Sequence, residues 1–78
     1  MPTVTVRLFA SLAEAEGWRE KTCRLAPGAT ARDAWVEAVG RAAIPPRTLA
    51  AINLDYQAID TLLSEGDEVA FFPPVTGG

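Results

Sequence analysis

Apolar and polar residues alternate over residues 3–9, with Val4, Val6 and Leu8 on one side and Thr5, Arg7 and Phe9 on the other. A period of two marks a β-strand with one buried face. Ser11-Leu12-Ala13-Glu14-Ala15-Glu16 contains good helix formers but is too short to stand alone, and Gly17 closes it, so it reads as a connector of one or two turns. Over residues 19–25 a weaker alternation puts Cys23 and Leu25 on one face and Thr22 and Arg24 on the other, before Pro27-Gly28 forces a turn. The period changes after Thr30. Ala31, Ala34, Trp35, Ala38, Val39 and Ala42 recur at helical spacing, Thr30 is placed as the cap with Asp33 at the third helical position, and Glu37 and Arg41 stand four apart on the other side. Gly40 falls inside this pattern at a cost of about 1 kcal/mol relative to alanine, and Ile44-Pro45-Pro46 ends the helix.

Beyond the prolines, residues 49–53 read as a short strand of small residues, and Tyr56-Gln57 as a second extended piece after a turn at Leu54-Asp55. Leu62-Leu63-Ser64-Glu65-Gly66 reads as a helical turn closed by glycine, and residues 67–72 as a final apolar strand running into Pro73-Pro74. The order predicts an α+β fold with one main helix packed on one face of a mixed sheet. If the first and last strands are central parallel neighbours, the architecture is the ubiquitin-like β-grasp. Residues 1–72 would form that domain and residues 73–78 an extended tail.

At 78 residues the chain has room for one domain and a small core, and none for a deep catalytic cavity. It contains no histidine and one cysteine, Cys23, which excludes Ser/His/Asp and Cys/His arrangements and disfavours any metal site. No phosphate-cradling glycine loop occurs, so any ATP chemistry must come from another protein. The net charge is −3 with scattered basic residues, which disfavours nucleic acid as a partner. No apolar run approaches the roughly 20 residues of a membrane helix and no signal pattern opens the chain, so a cytoplasmic protein without membrane contact is expected.

Two of the six glycines are Gly77 and Gly78. The block Gly66-Asp67-Glu68-Val69-Ala70-Phe71-Phe72-Pro73-Pro74-Val75-Thr76-Gly77-Gly78 resembles the C-terminus of the small-subunit family of molybdopterin synthases, and the similarity reaches back through Ala51-Ile52-Asn53 to about Leu49. In the first half it consists of Arg7-Leu8-Phe9-Ala10 and the helix placement; Ala13 stands before Glu14 where the family often has arginine. The resemblance implies a ubiquitin-like sulfur carrier that is not itself an enzyme. Its Gly78 carboxylate would be activated as an acyl-adenylate by a separate ATP-dependent enzyme and converted to a thiocarboxylate. The tail would then enter the large subunit, in a heterotetramer, and give its sulfur to cyclic pyranopterin monophosphate to build the molybdopterin dithiolene. The chain itself would bind no cofactor, the ATP being used by the activating enzyme.

The chemistry of the tail agrees with this. A free carboxylate is a poor electrophile, because its charge is delocalised and its leaving group would be oxide, so activation must precede attack by sulfur. Pro73, Pro74, Val75, Thr76, Gly77 and Gly78 span up to about 20 Å when extended, enough to reach into a neighbour's pocket. The two glycines pass constrictions closed to larger residues, and the two prolines bias the tail toward extended forms, lowering the ordering cost on insertion. Two glycines in succession end about one chain in 200 by chance, so the surrounding block and not the pair alone carries the reading.

Phe71 and Phe72 must point to opposite faces of their strand. With Val69 and Phe71 inward, Phe72 is left outside, covered by a loop or kept for a partner; the partner reading is preferred because Phe9 also leaves the core face and the two strands are expected to be neighbours, while Tyr56 either extends the same patch or simply packs. Trp35 reads as core, Trp18 is unassigned, and Cys23 reads as an inert thiol and not as the sulfur carrier. Glu65, Asp67 and Glu68 read as a solvated turn, the less favoured alternative being a subsidiary role in meeting basic groups of an activating enzyme. Three other functions stay open: a sulfur carrier of another pathway such as thiamine synthesis, a protein modifier conjugated through Gly78, and an interaction domain whose tail has no role.

Overall fold

The computed structural model describes residues 1–40 and 44–74. Seven elements follow one another: β1 (Thr3–Leu8), α1 (Ala10–Glu16), β2 (Glu20–Arg24), α2 (Ala31–Val39), β3 (Leu49–Ile52), β4 (Asp55–Gln57) and β5 (Glu68–Phe72). The five strands form one mixed sheet in the order β2-β1-β5-β3-β4. β1 and β5 are parallel and central, with Val6 beside Val69 and Leu8 beside Phe71, while the other pairings are antiparallel. This is the ubiquitin-like β-grasp.

The alternation in the strands decides what is covered. Val4, Val6, Leu8, Cys23, Ala50, Ile52, Val69 and Phe71 form the inner face, and α2 lays Ala31, Ala34, Trp35 and Ala38 on it. Three of those four helix residues are alanine, which brings the backbone close to the sheet and leaves Trp35 as the one bulky knob. Trp35 meets Phe71 edge-on, with ring centres 5.2 Å apart and planes at 81°, a geometry that sets ring edge against ring face. Both side chains are essentially inaccessible to water.

Thr30 caps α2 as its residue type suggests. Its hydroxyl accepts from the Asp33 N–H at 3.3 Å and the Asp33 carboxylate accepts from the Thr30 N–H at 2.9 Å, a reciprocal capping box. The other end of α2 corrects the sequence reading. Gly40 is not interior: it stops the helix at φ 82°, ψ 14°, and its N–H donates to the Val36 carbonyl at 2.8 Å. Arg41 and Ala42 fall outside the described residues, as does the expected Glu37–Arg41 pairing.

Two connections also differ from expectation. Residues 62–66 form no helical turn; Leu62 makes an antiparallel bridge with Thr30, and the Leu63 N–H donates to the Ala29 carbonyl at 2.9 Å. Burying Leu63 against the helix entry favours this extended course over a helical one. The β3–β4 turn is Asn53-Leu54, one residue earlier than Leu54-Asp55, with φ of 51° and 74°. Positive φ at both central residues suits the twist of a tight hairpin, and asparagine tolerates it. The Asn53 side chain then holds the start of β5, donating to Asp67 Oδ1 at 2.9 Å and accepting from the Glu68 N–H at 3.0 Å.

Because Gly40 has φ of 82° and open space around its missing Cβ, Gly40→Ala should lower the unfolding free energy in urea by about 1 kcal/mol through backbone strain alone. An increase of similar size would mean that the residue is helix interior after all.

Candidate functional site: the uncovered sheet face and the tail exit

α2 covers one face of the sheet and leaves the other open. Strand register places Arg7, Ala51, Tyr56, Ala70 and Phe72 on that open face, with Ala51 opposite both Ala70 and Tyr56, and Leu49 opposite Phe72. Phe9 joins them from the end of β1, where its N–H donates to the Phe71 carbonyl at 3.2 Å and continues the parallel ladder for one more step. That bond fixes the backbone of Phe9 against β5 and brings its ring over Phe72. The two rings stack with centres 4.6 Å apart and planes within 11°, and Tyr56 lies 5.9 Å from Phe72 at 55°.

Phe9, Tyr56 and Phe72 thus meet in one cluster, with Phe72 at its centre. Phe9 is 38% exposed, Leu49 37% and Tyr56 69%, so the cluster offers a substantial apolar surface to solvent. Ala51 and Ala70 are buried although no helix covers them, because their larger neighbours on the open face shelter them. Small residues at those positions keep the floor flat. Leu49, Ala51 and Ala70 were not singled out from the sequence; only the cross-strand register reveals that they share the face of the rings.

A charged rim borders the patch. Arg7 Nε stands 2.8 Å from Glu68 Oε2 and Arg7 Nη2 stands 3.2 Å from Glu20 Oε1, tying β2, β1 and β5 together across the open face. Such exposed pairs contribute at most about 1 kcal/mol each and stay accessible to a partner. The acidic turn is more ordered than a solvated reading implies: Asp67 Oδ2 accepts from the Ser64 N–H at 2.7 Å, and Glu65 Oε1 from the Thr3 N–H at 2.9 Å.

The chain leaves the sheet beside this patch. β5 ends at Phe72, and Pro73 and Pro74 follow half-buried outside any regular element, so the route toward the terminus starts from the central ring. Val75, Thr76, Gly77 and Gly78 lie outside the described residues.

The remaining candidates sit elsewhere. Trp35 is core, and Trp18 is half-buried with Lys21 Nζ 4.6 Å above its ring, while the same Nζ donates to the Ala38 carbonyl at 3.0 Å. Cys23 is buried on β2, two strands from β5. Burial pushes its thiol up from the ordinary value, the Glu37 carboxylate adds to the rise, and Lys21 acts weakly against it. The described residues contain no cluster of acidic, cysteine or histidine side chains suited to a metal ion, and no helix among them is long and apolar enough to cross a membrane.

A five-stranded mixed sheet with a parallel central pair and a helix across one face places the chain among the small ubiquitin-like β-grasp proteins. The ThiS family model matches residues 6–78, and the chain belongs to that family. It is 59% identical over 32 residues to the molybdopterin synthase sulfur carrier subunit of Escherichia coli strain K12, a match covering 41% of this chain and 40% of the relative. The corresponding subunit of Haemophilus influenzae strain Rd is 50% identical over 32 residues, with the same coverage. The matched segment thus spans about two-fifths of the length of these curated relatives. Among solved structures, small archaeal modifier protein 1 of Haloferax volcanii superposes with a TM-score of 0.83 at 28% identity, covering 96% of this chain and all of that one.

A thiol that is buried and held above its ordinary pKa forms little reactive thiolate. Cys23 in the folded chain should therefore react with an aromatic disulfide reagent at pH 8 at least about tenfold more slowly than in urea. Equal rates in the two states would return Cys23 to consideration as a sulfur-bearing group.

Proposed function

We propose that this chain is a sulfur carrier and the small, non-catalytic subunit of a molybdopterin synthase, working in the cytoplasm. The observation that carries the proposal is the placement of an exposed aromatic cluster at the exit of a tail ending in Gly77-Gly78, in a chain of the ThiS family. The similarity to two sulfur carrier subunits supports it.

The division of labour follows from the chemistry. Phe9, Tyr56 and Phe72 dock the body on a partner and deliver the tail, Pro73 to Gly78, into the partner's site. On an activating enzyme, the Gly78 carboxylate attacks the α-phosphate of ATP, releasing pyrophosphate and forming an acyl-adenylate. A sulfur nucleophile then displaces AMP and leaves a thiocarboxylate. On the large subunit that sulfur passes to cyclic pyranopterin monophosphate, and water restores the Gly78 carboxylate. The rings are suited to serving both partners in turn, because apolar stacking contacts tolerate different neighbours better than fixed hydrogen bonds do.

The likeness to a small archaeal modifier protein favours a second reading, in which the activated Gly78 is transferred to lysine amines. Digestion of cellular protein separates the two: branched Gly-Gly remnants on lysines support the modifier.

Intact mass spectrometry of the chain, purified from cells with a functioning activating system, should show a fraction heavier by the difference between sulfur and oxygen, absent when Gly77-Gly78 is deleted. Phe72→Ala should weaken capture of the large subunit on the order of tenfold while leaving the chain folded, since the ring lies outside the core. A sulfur-free chain that also fails to capture a large subunit would refute the proposal.

A further inference from the structure

A second surface lies along the opposite side of the β3–β4 hairpin. β4 is an edge strand whose three residues are all exposed, and among the described residues no turn or loop backbone group bonds to it. An edge strand leaves alternate N–H and C=O groups free to pair with another extended segment. Beside it runs an open groove of about 940 Å³ lined by Ile44, Pro45, Leu49, Tyr56 and Ile59, with Arg32 and Arg47 also lining it.

Arg47 is held there in an unusual way. Residues 45–48 make a tight turn in which the Thr48 N–H and hydroxyl both donate to the Pro45 carbonyl, at 3.2 and 2.7 Å. Pro46 occupies the first central position and Arg47 the second, at φ 62°, where such a turn ordinarily takes glycine. Arginine stands at this strained position with no ion pair or side-chain hydrogen bond among the described residues, whereas Arg32 is paired with Asp60 at 3.3 Å. The groove therefore combines apolar walls, an exposed strand edge and a cation, Arg47, that has no charged partner among the described residues.

We propose that the β4 edge and its groove bind an extended, acidic and hydrophobic peptide segment of a partner protein. The segment adds a strand to β4, sets alternate apolar side chains against Ile44, Leu49 and Ile59, and places a carboxylate on Arg47. A small anion would leave the apolar walls unused. A second copy of this chain is a poorer occupant, because its own β4 presents Asp55 and Gln57 on one face and Tyr56 alone on the other. The groove shares Leu49 and Tyr56 with the open-face patch but includes neither Phe9 nor Phe72.

The test is an NMR titration of the full isotopically labelled chain with a capped hexapeptide of alternating valine and leucine flanked by aspartates, and with its twin carrying lysines in place of the aspartates. The acidic peptide should give saturable amide shifts confined to residues 44–50 and 55–59, and the lysine twin should bind more weakly. Arg47→Gly should weaken the acidic peptide about fivefold. Glycine suits the left-handed turn, so this variant should melt no lower than the parent, which separates loss of binding from loss of fold. The proposal is overturned by the absence of saturable shifts at millimolar peptide, by shifts centred on Phe9 and Phe72, by equal binding of the two peptides, or by unchanged affinity in Arg47→Gly.

Discussion

The parallel pairing of β1 with β5 is the constraint on which the rest of this small protein depends. It joins segments more than 60 residues apart, from Val6 beside Val69 to Leu8 beside Phe71, and is extended at its two ends by Thr5 N–H to Asp67 carbonyl and Phe9 N–H to Phe71 carbonyl. Closing so long a loop is entropically costly, though the cost grows only slowly with length. What offsets it is the inner face of the same pair, where Val4, Val6, Leu8, Val69 and Phe71 are removed from water under Trp35. Under the proposed function, the outer face of the pair is the docking face. A single register thus puts Phe71 into the core and Phe72 against Phe9.

Under the proposed function, this coupling accounts for how a 78-residue chain takes part in chemistry hosted by larger partners. The core has only to hold one face rigid. Alanines on α2 and in β3 let the two layers approach closely, and the main bulk comes from a few large side chains such as Trp35 and Phe71. Under the proposed function, the larger partners provide the ATP site and the substrate pocket. The missing histidine and the buried Cys23 then fit a protein whose reactive group is the carboxylate of Gly78.

Much of the fold was legible because each element carries its own period. Val4, Val6 and Leu8 named the buried face of β1, Thr30 and Asp33 marked the start of α2, and the Phe71-Phe72 pair required one ring inside and one outside. Gly40 was misread because alanines on both sides continue the helical spacing past it, and residue type alone does not distinguish an interior glycine from a left-handed cap. Leu62 and Leu63 looked helical because local preference was all that could be weighed, whereas their course is set by the bridge to Thr30. In the site, the three rings were individually recognisable. Their stacking, the alanine floor and the Arg7 rim arise from cross-strand register, which couples residues far apart in sequence.

The central claim is that docking and reactivity reside in separate parts of the molecule: the rings bind and Gly78 reacts. It is tested most directly by ATP–pyrophosphate exchange on the cognate activating enzyme, comparing the intact chain, Phe72→Ser, and a chain lacking Gly78. The account predicts that Phe72→Ser needs about tenfold more protein for half-saturation yet reaches the same maximal exchange. The chain lacking Gly78 should support no exchange and should compete with the intact chain through its rings. Exchange supported by the truncated chain, or a half-saturation unchanged in Phe72→Ser, would contradict it.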